Sequence, residues 1–343
     1  MNTTPRSYAA AGVDIDAGEE AVRRIADAVA STRRPEVLSG LGGFGGLFAL
    51  DTSKYRQPVL VSTTDGVGTK SLVAEAVQRY DTIGQDLVAM CVDDLVCCGA
   101  EPLYMLDYIA VGALQADMVT QLVSGMAEGC RQAGCALIGG EMAEHPDAMP
   151  ADRFDLAGFA VGVVERDALL TNELVVEGDV LVGLASPGLR SNGYSLARRV
   201  LIGDDTARLH QPAWPGADTT LADEMLVPSV VYTPRALAAL ATGAVHAISH
   251  ITGGGIPGNL PRVLPSGLGA VVRRGSWTEP RIFQQIAELG DIAETEMDKV
   301  FNRGIGMVLV VEAGRAVELC ELVDGVAIGH IEAGNGVRYV PAS

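Results

Sequence analysis

The segment PVLVSTTDGVGTK, residues 58–70, limits what this chain can fold into more than any other stretch. An apolar run ends in two threonines, an aspartate and two glycines before a lysine, as when a strand delivers a glycine-rich turn to a phosphate. A P-loop needs glycine immediately before its lysine, and here Thr69 holds that place. Asp65 then puts a carboxylate where phosphate oxygens would sit. No G-x-G-x-x-G follows this strand, which argues against a dinucleotide site of the Rossmann kind.

A carboxylate beside phosphate oxygens costs several kcal/mol at short range unless a cation intervenes. Hard cations are held by one or two carboxylates together with the phosphates themselves. The turn therefore reads as a magnesium–nucleotide contact, with Asp65 on the metal, Gly66 and Gly68 admitting the backbone, and Lys70 as a point charge. The plain alternative is an Asp-Gly turn joining strand to helix. QDLVAMCVDDLVCCG strengthens the metal reading, because Asp93 and Asp94 lie inside an apolar helix expected from Thr82 to Cys98. Asp86 and Asp93 share a helix face and Asp94 lies on the next. No Lys or Arg occurs between Arg79 and Arg131, so a metal is the favoured partner and exposure of one acid the alternative. Asp107 shares a strand face with Leu103, Met105, Ile109 and Val111, and either ligation or backbone hydrogen bonds would satisfy it.

Strands and helices alternate along the rest of the chain. A helix over 14–34, the strand LYMLDYIAVG, a helix over 118–133, and the strands CALIG and FDLAGFAVGVVE fill the first half. The second half starts near 167–178 and contains VLVGLA, a helix start at Thr233-Pro234 with threonine as cap, VHAIS, and GIGMVLVVEA before a terminal helix. This alternation predicts mixed α/β layers in two domains, which 343 residues are enough to supply. Further glycine turns carry polar residues. SGLGGFGGLF, residues 39–48, could fold its amides over a nucleotide. GGEMAEHP places Glu141 just after a strand. GLRSNGYSL sets Arg190, Ser191 and Asn192 at a helix start suited to phosphate. HITGGG puts His250 and Thr252 before three glycines, and His250 is the candidate acid–base histidine.

Asp and Glu outnumber Lys and Arg by 43 to 25, a poor balance for binding nucleic acid. No run of eighteen apolar residues would span a membrane and no leader pattern opens the chain, so a soluble cytoplasmic protein is expected. The six cysteines form no paired C-x-x-C and read as reduced thiols.

From Tyr8 to about residue 340 the chain resembles the phosphoribosylformylglycinamidine cyclo-ligase (AIR synthetase) family. The pieces are YAAAGVDIDAG, TRRPEVLSGLGGFGGLF, TDGVGTK, DTIGQDLVAMCVDDLV, GAEPLYMLDY, IGGEMAE, SNGYSLAR, HITGGG, NLPRVLP and FNRGIGM. The resemblance implies an α+β N-terminal domain over 1–168 that binds ATP and pairs two subunits through a mixed-sheet dimer barrel. An α/β C-terminal domain over 169–343 follows. It implies ATP and Mg2+ as cofactors, formylglycinamidine ribonucleotide as substrate and a homodimer with no nucleic-acid or membrane partner. The reaction implied is ring closure to aminoimidazole ribonucleotide, with release of ADP and phosphate. By position, Asp65 and Asp94 match magnesium–ATP ligands and Lys70 a phosphate contact. Gly42, Gly43, Gly45 and Gly46 match a nucleotide-covering loop, and Gly66, Gly68, Thr69 and Glu141 are further candidate nucleotide contacts. Arg190, Ser191, Asn192, Gly193, Thr252 and Gly253 are the candidate substrate contacts, with Lys70, His250 and Arg190 the candidate catalytic groups. Two positions depart from the family's pattern: Arg190 stands where histidine is common, and Asp93 where asparagine is. Relatives that phosphorylate a small molecule without ring closure are the alternative enzyme class, and a silent ATP-binding protein the non-enzymatic one.

Overall fold

The structure, a computed structural model, describes residues 7, 8 and 11–341. Its first half contains α1 (Ile15–Ala30), β1 (Pro58–Gly66), α2 (Ser71–Val77), α3 (Ile83–Cys97), β2 (Glu101–Val111), α4 (Ala116–Ala133), β3 (Ala136–Glu144) and β4 (Phe154–Glu165). The four strands form one mixed sheet in the order β1-β4-β2-β3, with only β2 and β3 parallel. The second half contains β5 (Val180–Ala185), α5 (Tyr194–Leu201), α6 (Leu221–Met225), α7 (Thr233–Leu240), β6 (Val245–His250), α8 (Gly255–Asn259) and β7 (Leu268–Arg274). It continues through α9 (Arg281–Gly290), α10 (Glu294–Val300), β8 (Ile305–Val311), α11 (Ala316–Val323), β9 (Val326–Ala333) and β10 (Val337–Pro341). Its sheet runs β10-β7-β9-β5-β8-β6.

That second sheet corrects the α/β expectation. Only β7 and β10 pair in parallel, and every other neighbouring pair is antiparallel. The alternation of helices and strands left strand direction open, and here β8 and β9 return on either side of β5 with α11 outside the sheet order. Strands β7, β9 and β10 were not legible in the sequence; β9 reads VAIGHIEA, too mixed to stand out. By contrast β8, IGMVLVV, is buried at every position, as its unbroken apolar run requires of a central strand.

Helix α3 joins the two halves. Residues 83–93 are buried except Gln85, which fits a helix apolar on nearly all sides and packed on several. Leu87 and Cys91 belong to a core shared with β1, β2 and β4, whereas Val96 belongs to the core of the second sheet. The larger core continues across the seam into Tyr194, Leu201, Phe283 and Phe301. Helix ends obey local chemistry. Asp14 caps α1 by accepting from the Ala17 amide, and Gly134 closes α4 in the left-handed region at φ 71°. Helix α1 stops at Ala30, short of the Arg33–Arg34 pair, and α7 begins at Thr233 with no side-chain cap. The Thr233 hydroxyl is engaged elsewhere, on Asp93. All six cysteines are free thiols.

Candidate functional site at the seam between the two sheets

Strand β1 ends at the TDGVGTK turn, and the turn faces the second half of the chain. A Cβ on Gly68 would lie 3.6 Å from the Ser191 carbonyl oxygen, and Thr69 Oγ1 lies 3.3 Å from Ser195 Oγ. A Cβ on Gly253 would lie 3.8 Å from Asn192 Nδ2. Three glycine turns far apart in sequence therefore meet: 65–69, 190–193 and 252–255. The meeting depends on close backbone approach. Gly193 has φ 76°, and a Cβ there would come within 2.3 Å of the Phe301 ring.

Asp65, Asp94 and His250 lie beside these turns. Asp94 Oδ1 is 2.8 Å from His250 Nδ1, and the Asp94 side chain is 47% exposed. Burial raises the Asp65 carboxyl above its ordinary range, the Gly66 amide and His250 oppose the rise, and the Asp94 charge adds to it. Two carboxylates that feel each other's charge at an open cleft fit a divalent cation held by both and completed by ligand oxygens. Among the described residues no group of three or more His, Cys, Asp or Glu side chains is arranged to hold a metal. Arg190 Nε, Ser191 Oγ and Asn192 Oδ1 are buried polar atoms without partners, three in succession along one turn. Such orphans are expensive unless a ligand meets them. Next to Asp94 and His250 lies a cleft of about 430 Å³, also lined by Thr63, Asn172, Asn259 and Arg262. Arg262 was missed in the sequence reading although NLPRVLP contains it; its Nη1 donates to Asn259 Oδ1 at 3.2 Å.

Several of the expected site residues are engaged within the protein. Lys70 is fully buried, its Nζ 2.6 Å from Asp86 Oδ2 and donating to the Val227 carbonyl at 2.8 Å. It faces the seam rather than an open turn. Burial pulls its ammonium below the usual lysine range, against the pull of Asp86. Asp86 also accepts from the Ser229 amide and hydroxyl at 2.8 and 2.5 Å. Asp93 is likewise fully buried, accepting from Arg190 Nη2 at 3.2 Å and from Tyr232 and Thr233. The metal partner expected for these two acids is thus replaced by Lys70 and Arg190, the first a little before the cation-free stretch between Arg79 and Arg131 and the second far beyond it in sequence. Arg190 and Asp93, the two departures from the family's pattern, touch each other. The Arg190 guanidinium is accordingly engaged within the protein, with only Nε left unpartnered. His250 has both ring nitrogens engaged, by Asp94 and by Arg190. Thr252 and Gly253 are held from behind by Asn259, whose Nδ2 lies 3.5 and 3.2 Å from their carbonyls.

Gly42, Gly43, Gly45, Gly46 and Glu141 lie elsewhere. They line a cavity of about 630 Å³ with α1, Asp107 and Gly140. Asp65, Gly158, Asp107 and Gly140 form one row across the sheet, and Glu141 and Gly66 are the two ends of the next row, with Tyr108 and Ala157 between them. Three strand spacings, about 14 Å, separate Glu141 from β1. The expected nucleotide-binding set is therefore divided, with the 39–48 glycines and Glu141 on the N-terminal cavity, Asp94 on the seam cleft, and Asp65, Gly66, Gly68 and Thr69 at the turn that ends β1. Asp107 lies over Gly140, where a Cβ would come within 2.2 Å of its Oδ1, and burial pushes its carboxyl up to about 7. The 39–48 loop is a hairpin tied by Leu38 N to Leu47 O at 2.9 Å, with Phe44 fully exposed at its tip.

Comparisons with known proteins agree with this architecture. The model described as AIR synthase related protein, N-terminal domain, matches residues 51–164, and the corresponding C-terminal domain matches 176–340. A phosphoribosylformylglycinamidine cyclo-ligase of Myxococcus xanthus is 51% identical over 98% of each chain. One of Geobacter metallireducens is 52% identical over 89% of this chain and 87% of the relative. Among solved structures, thiamine-monophosphate kinase from Stenotrophomonas maltophilia superposes with a TM-score of 0.68 at 21% identity, covering 93% of this chain and 97% of the other. The hydrogenase maturation protein HypE in complex with ATP gives 0.63 at 16% identity, over 91% and 86%.

Proposed function

The chain belongs to the phosphoribosylformylglycinamidine cyclo-ligase family, and from that premise we propose that the seam between its two sheets is where it closes formylglycinamidine ribonucleotide to 5-aminoimidazole ribonucleotide. The observation that carries the placement is the convergence of three glycine turns on the orphaned Arg190 Nε, Ser191 Oγ and Asn192 Oδ1.

The chemistry sets the task. An amide oxygen is a poor leaving group, so ATP phosphorylates the formyl oxygen first. The amidine-derived nitrogen then attacks that carbon, the ring closes, and phosphate leaves with ADP as the other product. Little covalent work falls to the protein; it must orient two reactants and offset anionic charge. In this reading Asp65 and Asp94 hold magnesium. That ion, when bound, supplies positive charge to the phosphate oxygens. The Ser191 hydroxyl and Asn192 side chain bind the ribonucleotide across from Gly253. Gly66, Gly68 and Thr69 offer backbone approach to the phosphates. Arg262 lends the adjoining cleft its positive charge. We assign the 39–48 hairpin and Glu141 to covering the N-terminal cavity, whose volume lies within the usual range for small-molecule sites.

We also propose a homodimer formed through the N-terminal sheet, which with residues 1–168 makes the dimerising unit and leaves 169–343 as the C-terminal one. Leu60, Phe159 and Tyr108 lie on one sheet face and are 60%, 43% and 41% exposed, an apolar surface suited to a second copy. Phe159→Glu should convert a dimeric mass in solution to a monomeric one.

The purified protein, given formylglycinamidine ribonucleotide, ATP and magnesium, is expected to yield aminoimidazole ribonucleotide and ADP in equal amounts. ADP accompanied by a stable phosphorylated substrate and no ring product would instead make it a small-molecule kinase.

A further inference from the structure

His250 ends β6 and is buried, with Nδ1 2.8 Å from Asp94 Oδ1 and Nε2 2.8 Å from Arg190 Nη2. A guanidinium only donates, so Nε2 must accept. The single ring proton therefore sits on Nδ1 and is donated to Asp94. Nη2 has a second N–H, and it goes to Asp93 Oδ2 at 3.2 Å. Asp93 is held in turn, its Oδ1 accepting from Tyr232 N at 2.9 Å and from Thr233 N and Oγ1 at 3.0 Å each. The other guanidinium branch, Nη1, donates to the Val230 carbonyl at 3.0 Å, and the guanidinium carbon lies 4.9 Å from the centre of the Tyr232 ring. Arg190 reaches this position from a backbone φ of 61°, which a non-glycine residue keeps only when its surroundings hold it there. From Thr233 to Asp94 every donor and acceptor direction in the chain of contacts is fixed. Asp94 is the first member that opens to the cleft.

We propose that Arg190 and Asp93 act as one positioning unit that fixes His250 in a single tautomer and, through it, aims Asp94 into the cleft. His250 is a strut in this arrangement: Nε2 has its lone pair occupied by Arg190, so the ring carries no proton between substrate atoms. Arg190 acts on the nucleotide side, through Asp94, rather than by gripping the ribonucleotide phosphate. The kinetic consequence rests on the function proposed above; the tautomer does not.

Proton–nitrogen correlation NMR on protein labelled at its five histidines reads the tautomer directly, with His250→Gln identifying the signal. The ligand-free protein should show His250 protonated at Nδ1 with Nε2 as a hydrogen-bonded acceptor. A ring protonated at Nε2, or at both nitrogens, overturns the proposal. In Arg190→Met the Nε2 resonance should move to that of an unpartnered imine nitrogen, and an unchanged spectrum overturns it. Where that variant does not fold, Arg190→Met with Asp93→Asn removes both buried charges together and should give the same shift. In the cyclisation assay Arg190→Met should raise KM for magnesium–ATP by about tenfold or more, as loss of a group supporting a ligand does, with KM for the ribonucleotide near wild type. The reverse split would make Arg190 a substrate-phosphate contact and overturn the proposal. Absence of cyclisation in the wild type would remove the function and leave the spectral test standing.

Discussion

On one side of α3, Asp86 and Asp93 are fully buried and neutralised by Lys70 and Arg190, whereas Asp94, one residue further, is half exposed at the cleft and its charge is felt by Asp65. The buried side resembles a domain interior, with each charge met by a cation and by hydrogen bonds from α7 or the 227–233 segment. The cleft side has like charges near one another and orphaned polar atoms across from them. Charges satisfied within the protein hold the two halves together. Charges left unsatisfied at the same seam are the ones available to ligands.

The largest expected effect breaks the buried side. Lys70→Met leaves Asp86 charged and buried, which should cost about 3–5 kcal/mol in denaturant unfolding, and adding Asp86→Asn should recover most of it. Full stability with lost activity would return Lys70 to the phosphate. The next effect tests the open side. Asp65→Asn should lower the cyclisation rate about a hundredfold or more, equivalent to some 3 kcal/mol, with an unchanged unfolding curve. Unaltered magnesium-dependent ATP affinity would take Asp65 out of the ligand set.

Asp107 lies between these extremes, partly buried on the wall of the N-terminal cavity and with no cation paired to it among the described residues. With its carboxyl raised to about 7, the folded chain keeps a proton that the unfolded chain releases near pH 4. Stability from this group is therefore highest below the unfolded pKa and falls as pH rises toward about 7. Asp107→Asn should melt with the wild type near pH 4 and a few degrees above it beyond pH 7. Equal melting at both ends would mean that Asp107 is neutralised by a partner. The smallest expected effect is at the hairpin tip: Phe44→Ser should change stability by no more than about 0.5 kcal/mol while weakening nucleotide binding. Unchanged affinity would confine the hairpin to a structural role.

Much of this was legible in the residues. The helix carrying Asp94 and the glycine turns at 190–193 and 252–255 stand where their patterns placed them, whereas Asp65 and Glu141, expected just beyond strands, lie within the last residues of β1 and β3. What stayed hidden was long-range pairing. The cation-free stretch between Arg79 and Arg131 carries no trace of Lys70 or Arg190, because burial against distant segments is set by the seam and not by local spacing. The same limit separated Glu141 and the 39–48 glycines from Asp65, since strand order rather than sequence order fixes which turns are neighbours. The order of the second sheet was hidden too, for the alternation of helices and strands carries no record of direction.

The central claim is that ATP activates the formyl oxygen for ring closure, and following that oxygen tests it most directly. Formylglycinamidine ribonucleotide carrying heavy oxygen at the formyl group would be turned over with unlabelled ATP in ordinary water. The expected result is the label in the released inorganic phosphate, one atom for each aminoimidazole ribonucleotide formed. Unlabelled phosphate from the same turnover would contradict the claim.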